Sequence, residues 1–327
     1  MKRRWIAAIL AALCLMAVLC SCGVRKIGST EEEARVVATC GENEILYDEL
    51  RYLTMNYKKE LAALHGEGIF DSEELGAEYE DRLRELVTEA LIENYALVAL
   101  CQREGIEISD KTSEKQVKEY VKEAVAQCGD TDAYRAYLAE NFLTDRVFRL
   151  NTAILGCQQR YYEVTAKKND KQAYDTVMSG EGFIRCRSIF VKNDPGESVT
   201  ANRKAAQEVC DQIAAEGKSV EDFIGKKVNQ DTSHCDYYFM KGYFQEAYEN
   251  AAFALEVGEV SEVVEVDDGF YVIQRVEPEE GYFAANVESL MVQYHISQME
   301  TETQRIAETL SVEWNDLGND LVLWSMK

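Results

Sequence analysis

Residues 244–276 read FQEAYENAAFALEVGEVSEVVEVDDGFYVIQRV, and this stretch decides the fold. Its first part, Phe244 to Leu255, is a short helix rich in aromatic residues. Its second part holds two strand-like runs, Val263 to Val266 and Phe270 to Val276, separated by Asp267-Asp268-Gly269. An acidic pair followed by glycine between β-prone runs is a strong hairpin signal, because only a tight turn with positive-φ tolerance fits so few residues. Upstream, Phe183 to Val191 is another strand, Ala201 to Ala215 an amphipathic helix, Val220 to Ile224 a short second helix and Asp231 to Asp236 a polar loop. The order is βααβαββ-like over about a hundred residues, which predicts a twisted sheet covered by helices.

On either side of this block the periodicity is helical. Leu75, Tyr79, Leu83, Leu86, Ala90, Leu91, Leu97 and Leu100 recur at three- and four-residue steps and predict a helix from Ser72 to Arg103, with Gly105 at its stop. Ile106-Glu107-Ile108 reads as an extended link, with Ser109 and Asp110 as N-cap candidates. Lys115 to Cys128, Thr131 to Asn141 and Thr144 to Tyr162 continue the helices, and Val36 to Cys40 precedes them as a short β-prone run. Beyond Pro278 a helix returns, with Val287, Leu290, Met291, Tyr294, Ile296 and Met299 on or near one face, and Leu310 to Trp314 looks like a strand. A helix with an apolar stripe needs a partner, and the N-terminal helical region is the nearest candidate.

The N-terminus carries an address. Lys2, Arg3 and Arg4 form a basic segment and Trp5 to Leu19 an uncharged apolar run, of signal-peptide length and short for a bilayer span. Leu19-Cys20-Ser21-Cys22 resembles the bacterial lipobox, which implies cleavage before Cys22 and lipid on its thiol. Gly23 to Arg35 then reads as a polar tether. The implied location is extracytoplasmic, lipid-anchored at the outer face of the cytoplasmic membrane.

Over 327 residues, 59 acidic side chains face 35 basic ones, a net charge of −24, and loss of Lys2, Arg3 and Arg4 makes the balance more acidic still. Such a surface disfavours nucleic acid and anionic lipid and favours basic or neutral polypeptides. Of ten cysteines, Cys14 and Cys20 leave with the signal and Cys22 is acylated. The remaining seven are scattered, odd in number and without CxxC spacing, so they read as small buried apolar residues and neither a metal nor another cofactor is expected.

Three stretches carry a resemblance. Ile184-Arg185-Cys186-Arg187-Ser188-Ile189-Phe190-Val191, Lys241 to Leu255, and Gly258 to Val264 with Gly269 to Ile273 resemble the parvulin-type peptidyl-prolyl isomerases. The flanking helices and lipobox extend the likeness to PrsA/SurA-like exported foldases. The implied fold is α+β: a helical N-terminal chaperone-like domain completed by a C-terminal helix, with an inserted parvulin-like (FKBP-like β-α) domain. The boundaries are 1–21 signal, 22–35 tether, 36–180 helical domain, 181–280 isomerase domain and 281–327 C-terminal return. The implied partners are unfolded or partly folded exported polypeptides.

The resemblance places the proline pocket at Phe244, Tyr248 and Phe253, whereas helical spacing alone would make them core. It places Ser188 and Tyr271 where the family has its two signature histidines, and Asp231 where it has an acidic residue or a cysteine. These three are the candidate catalytic positions. Asp231 has an ordinary alternative as a turn former. His234 could replace a lost histidine or be a solvated loop residue, while His65 and His295 have no supporting constellation. Cys186, two residues from Ser188, should share its face. Two functions stay open: a peptidyl-prolyl isomerase with a rebuilt, weakened site, and a holding chaperone or assembly adaptor that uses the fold as a binding surface. A solute-binding lipoprotein is disfavoured because no pair of βαβ domains brackets a cleft.

Overall fold

The computed structural model describes residues 33–66, 68–193, 198–231 and 235–327. The signal, Cys22, most of the tether and His234 lie outside the described residues. In chain order the elements are β1 (Val36–Cys40), β2 (Asn43–Leu46), α1 (Tyr47–His65), α2 (Glu73–Ala77), α3 (Glu80–Arg103), α4 (Lys111–Cys128), α5 (Thr131–Glu140) and α6 (Asp145–Ser179). Next come β3 (Ile184–Lys192), α7 (Val199–Glu216), α8 (Glu221–Ile224), β4 (Asp236–Phe239), α9 (Glu246–Ala254), β5 (Val264–Val266) and β6 (Gly269–Val276). The chain continues through α10 (Tyr282–Ala285), α11 (Val287–Ala307), β7 (Val312–Trp314), α12 (Asp316–Asp320) and a 3-10 turn at Leu323–Ser325. Two compact units result: a sheet unit of Thr165–Thr301, and a helical unit of the described residues up to Val164 together with Glu302–Lys327.

In the helical unit, caps set the helix starts. The Asp110 carboxylate accepts the amides of Thr112 and Ser113 at 2.8 Å each, and Asp130 does the same for Asp132 and Ala133 at the start of α5. The helix expected from Ser72 to Arg103 is two helices, α2 and α3, and Leu75 is exposed. The break follows from packing: a Cβ on Gly76 would lie 2.3 Å from the Trp324 ring, so the chain bends to admit that indole, and the Glu80 carboxylate accepts the Trp324 amide at 3.0 Å. Ile106 to Ile108 forms no strand, and α6 runs on well past the expected Tyr162.

Of the segment 281–327, β7 pairs antiparallel with β1, Ala38 opposite Trp314 and Cys40 opposite Val312, in the helical unit. Cations from α1 and α3 hold the carbonyls that follow it: Arg51 donates to Lys327 at 2.7 Å, Lys58 to Met326 at 2.7 Å and Arg84 to Leu321 at 2.7 Å. Leu290 and Tyr294 of α11 instead pack with Ala173, Val177, Phe183 and Tyr238 in the sheet unit.

The sheet unit is a four-stranded antiparallel sheet in the order β4-β3-β6-β5. Strand alternation splits its side chains between two cores. Ile189, Val191, Phe270 and Val272 lie under α7 with Val209 and Phe223, whereas Ile184, Cys186, Phe190, Phe239 and Ile273 lie under α9 with Tyr248 and Ala252. The hairpin forms as expected, with Val266 opposite Gly269. Glycine is required there by space: a Cβ at 269 would sit 2.3 Å from the Val191 carbonyl oxygen. Among the described residues no cysteine is in a disulfide, and Cys40, Cys101, Cys157, Cys186 and Cys235 are buried.

Candidate functional site

The face of the sheet beneath α9 is where the six candidate positions meet. In β3, Ser188 shares this face with Cys186 and Phe190; in β6, Tyr271 lies opposite Phe190 and stacks on it, ring centroids 4.6 Å apart. From α9 comes Tyr248, edge-on to Tyr271 at 4.9 Å. Just before α9, Phe244 tilts against Tyr248 at 4.6 Å and meets the edges of Phe239 at 4.8 Å and Tyr237 at 5.2 Å. Phe253 reaches the same cluster through Phe239 at 5.7 Å, and the Lys241 ammonium lies 5.4 Å over its ring. Edge-to-face contacts of this kind add about 0.5–1.5 kcal/mol per pair beyond area burial.

Exposure divides the candidates. Ser188 has no exposed surface and Tyr248 only 1 %. The Tyr248 hydroxyl donates to Ser188 Oγ at 3.3 Å, so the two polar groups satisfy each other inside the core. In this conformation neither offers surface to a ligand: they are the hydrogen-bonded floor of the site, and the reading of Tyr248 from helical spacing as core describes its surroundings. Phe244, Phe253 and Tyr271 are half-buried and form the accessible rim. Asp231 is half-buried too; its carboxylate accepts a short hydrogen bond from the Tyr237 hydroxyl and so steadies the ring that Phe244 leans on.

Electrostatically the site is quiet. Burial pushes the Tyr248 and Tyr271 phenols well above the usual tyrosine range, the latter with help from the carboxylates of Asp268 and Asp231. Burial raises the Cys186 thiol to about 12 and also raises that of Cys235. At neutral pH these groups are uncharged, able to hydrogen-bond and unsuited to nucleophilic attack or proton abstraction. Cys186, wholly buried on the Ser188 face, is a packed small residue. Among the described residues no cluster of three or more His, Cys, Asp or Glu is arranged to hold a metal ion. His295 is buried on α11, its pKa lowered by desolvation.

Several supporting residues escaped the sequence reading. Glu249, only 8 % exposed, accepts the amides of Gly242, Tyr243 and Phe244 at 2.8, 2.6 and 2.7 Å. This carboxylate fixes the turn that presents Phe244, and Gly242 there has φ +86°. Asn229 works like a staple: its Oδ1 accepts the Phe190 amide at 3.0 Å, and its Nδ2 donates to the Ile224 carbonyl at 3.0 Å and to Cys235 Sγ. Tyr237 and Phe239 were legible in principle, since alternate residues of β4 must share a face. No motif flags Glu249, whose partners are amides five to seven residues before it, or Asn229, whose partners include the Phe190 amide 39 residues away.

A SurA-like N-terminal domain model matches residues 1–153, and a PPIC-type PPIase domain model matches residues 161–282. The foldase protein PrsA of Staphylococcus aureus strain Newman is 24% identical over 177 residues, 52% of this chain and 54% of that protein. The chain thus spans about half the length of the curated relatives it matches. Among solved structures, PrsA of Bacillus subtilis is 20% identical, covering 85% of this chain and 91% of that one at a TM-score of 0.28. PrsA of Streptococcus pneumoniae is 17% identical, covering 68% and 82% at a TM-score of 0.35. At such TM-scores the superpositions carry no weight, and the assignment rests on the sequence matches. In one polypeptide they place a match to a SurA-like N-terminal domain ahead of a match to a PPIC-type PPIase domain, and the chain is similar to the PrsA foldases.

Proposed function

We propose that this protein is a membrane-anchored extracytoplasmic foldase for exported polypeptides, and that prolyl segments rest on Phe244, Phe253 and Tyr271. The observation that carries this reading is the continuous aromatic surface on the α9 face, backed by a neutral hydrogen-bonded floor. Prolyl isomerisation rotates a C–N bond over a barrier of about 18–20 kcal/mol and breaks no covalent bond. A slot that takes the proline ring out of water and favours the twisted imide lowers that barrier without a nucleophile or a proton transfer. The phenol of Tyr271, above the floor, is the accessible hydrogen-bond donor for the imide. Ser188 and Tyr248 act from below, by holding the rim rings in place, and Asp231 acts through Tyr237.

The helical residues 36–180 would hold the client and 181–280 would present the isomerase site; of 281–327, β7 and the residues after it pair with the helical part, while Leu290 and Tyr294 of α11 pack in the sheet unit. Anchoring is assigned to lipid on Cys22, a thiol outside the described residues; among those, no helix is long and apolar enough to cross a membrane. Detergent partitioning with metabolic lipid labelling tests this, and unchanged labelling of Cys22→Ala would remove it.

One observation favours a second reading, the binding-only chaperone or adaptor. The residue at the first family-histidine position, Ser188, is sealed beneath Tyr248, which leaves fewer polar groups facing the slot. The deciding experiment is an NMR exchange assay of Xaa-Pro isomerisation on the full chain, beside Phe244→Ala. Catalysis that Phe244→Ala weakens supports the isomerase. Suppression of client aggregation without any acceleration leaves the binding-only reading.

A further inference from the structure

The reverse face of the same sheet carries a second recess. Between α7, α8 and the segment 226–230 lies a cavity of about 590 Å3. Its apolar lining is Val191, Val209, Phe223 and Val228, beside the polar Asn202, Gln212 and Gln230. Its mouth is basic, with Lys218, Lys226 and Lys227. Two carboxylates also border it: Glu208 lies 3.7 Å from Lys204, whereas Asp222, which accepts the Ser219 amide at 2.8 Å, keeps its charge and offsets one of the three lysines. Lys218 pairs with Glu216 at 2.7 Å, with its ammonium 5.6 Å over the Phe223 ring. Among the described residues Lys226 and Lys227 are exposed and have no ion-pair partner. On a chain of net charge −24, two unneutralised lysines at the lip of an apolar recess form a local attractor for anionic groups.

We propose that this cavity is a second polypeptide-docking site, which takes an acidic segment carrying one apolar side chain. The apolar side chain would enter over Val209 and Phe223, and flanking carboxylates would meet Lys226 and Lys227. The apolar lining decides between polypeptide and small anion. Inorganic phosphate gains nothing from Val191, Val209, Phe223 and Val228, whereas a leucine side chain gains burial there. Because the aromatic cluster occupies the opposite face of the sheet, one client can engage both sites, and engagement of two weak sites raises avidity without new contacts.

The test is fluorescence anisotropy on the full chain with a labelled Gly-Asp-Glu-Leu-Glu-Asp-Gly peptide. Saturable binding is expected, weakened at least ten-fold by Lys226→Glu with Lys227→Glu and at least five-fold when the peptide leucine is replaced by serine. Ala205→Trp, which fills the recess from α7, should abolish it, and an Xaa-Pro peptide should not displace the probe. Unchanged thermal midpoints confirm that the variants fold, and the milder Lys226→Gln with Lys227→Gln serves if charge reversal does not. The proposal is overturned by no saturable binding, by affinity indifferent to either lysine variant, or by displacement with an Xaa-Pro peptide. Equal affinity for the serine peptide, with displacement by inorganic phosphate, would also overturn it and identify a plain anion site.

Discussion

Both units bury charged side chains, Arg185 and Glu249 in the sheet unit, Asp48 and Glu49 in the helical unit, but the floor beneath the aromatic cluster differs from the helical core. In the helical unit Asp48 and Glu49, each 3 % exposed, share the single guanidinium of Arg146, with Thr144 donating to Asp48 at 2.6 Å and Tyr95 to Glu49 at 3.1 Å. Under α9 in the sheet unit, the buried pair Ser188 and Tyr248 carries no charge. A buried charge stands only where a partner and hydrogen bonds are fixed around it, which suits a scaffold. A surface meant to receive changing apolar segments is better backed by neutral groups, which cost little to cover. The contrast teaches that in this chain ionised groups, Glu249 among them, hold the framework, while neutral hydroxyls back the aromatic cluster.

The strongest way to break this comparison is to remove the neutral floor. Tyr248→Ala should cost the sheet unit about 3–5 kcal/mol, the range for truncating a buried aromatic, read by urea unfolding. A cost below about 1 kcal/mol would mean that Tyr248 lines an open pocket after all. Next, Arg146→Met leaves two buried carboxylates without their cation. About 3 kcal/mol is expected, the low end for a broken buried pair because the Arg146 side chain is 38% exposed. The loss should fall on the unfolding of the helical unit alone.

Titration sharpens the contrast further. Burial raises Glu49 from its ordinary value to about 7, against the lowering effect of Arg146. Its folded pKa thus exceeds its unfolded one, so its contribution is fully present below about pH 4.5, declines as pH rises towards 7 and is gone above that. The difference between wild type and Glu49→Gln should show a fall of up to about 3 kcal/mol across that window. Taking the difference cancels carboxylates of opposite sign such as Asp110, which Arg160 holds well below the usual range. A flat difference would show that Glu49 stays ionised.

Smaller effects belong to the rim. Phe244→Ala should weaken Xaa-Pro peptide binding by about 1–2 kcal/mol, since the ring is only half-buried before binding. Isothermal titration with an unchanged unfolding midpoint would establish that loss as a binding effect. Tyr248→Phe should cost about 1 kcal/mol of stability by leaving Ser188 Oγ without its donor, with little change in peptide affinity. A large loss of affinity instead would give the phenol a direct part in binding.

Much of this could be read from local sequence. The Asp267-Asp268-Gly269 turn, the alternation of β6 and the cap at Asp110 are short-range devices, in which residues a few positions apart decide the backbone, and they appear where the sequence puts them. Position 188 within β3 fixed which side chains share its face, including Cys186, by the same period of two. What local patterns could not settle is depth. Tyr248 and Phe244 sit four residues apart with equal aromatic character, yet one is sealed and the other half-open, because only the packing of α9 on β3 and β6 determines which ring lies beneath which. The division of 281–327 is of the same nature: the apolar stripe of α11 announces that a partner exists, but α6 and β4 supply it from about 50 to 120 residues away, and β1 pairs with β7 from more than 270 residues away. Trp324 meeting Gly76, where the expected long helix divides, is likewise decided by backbone brought together in three dimensions, so it belongs to the tertiary structure alone.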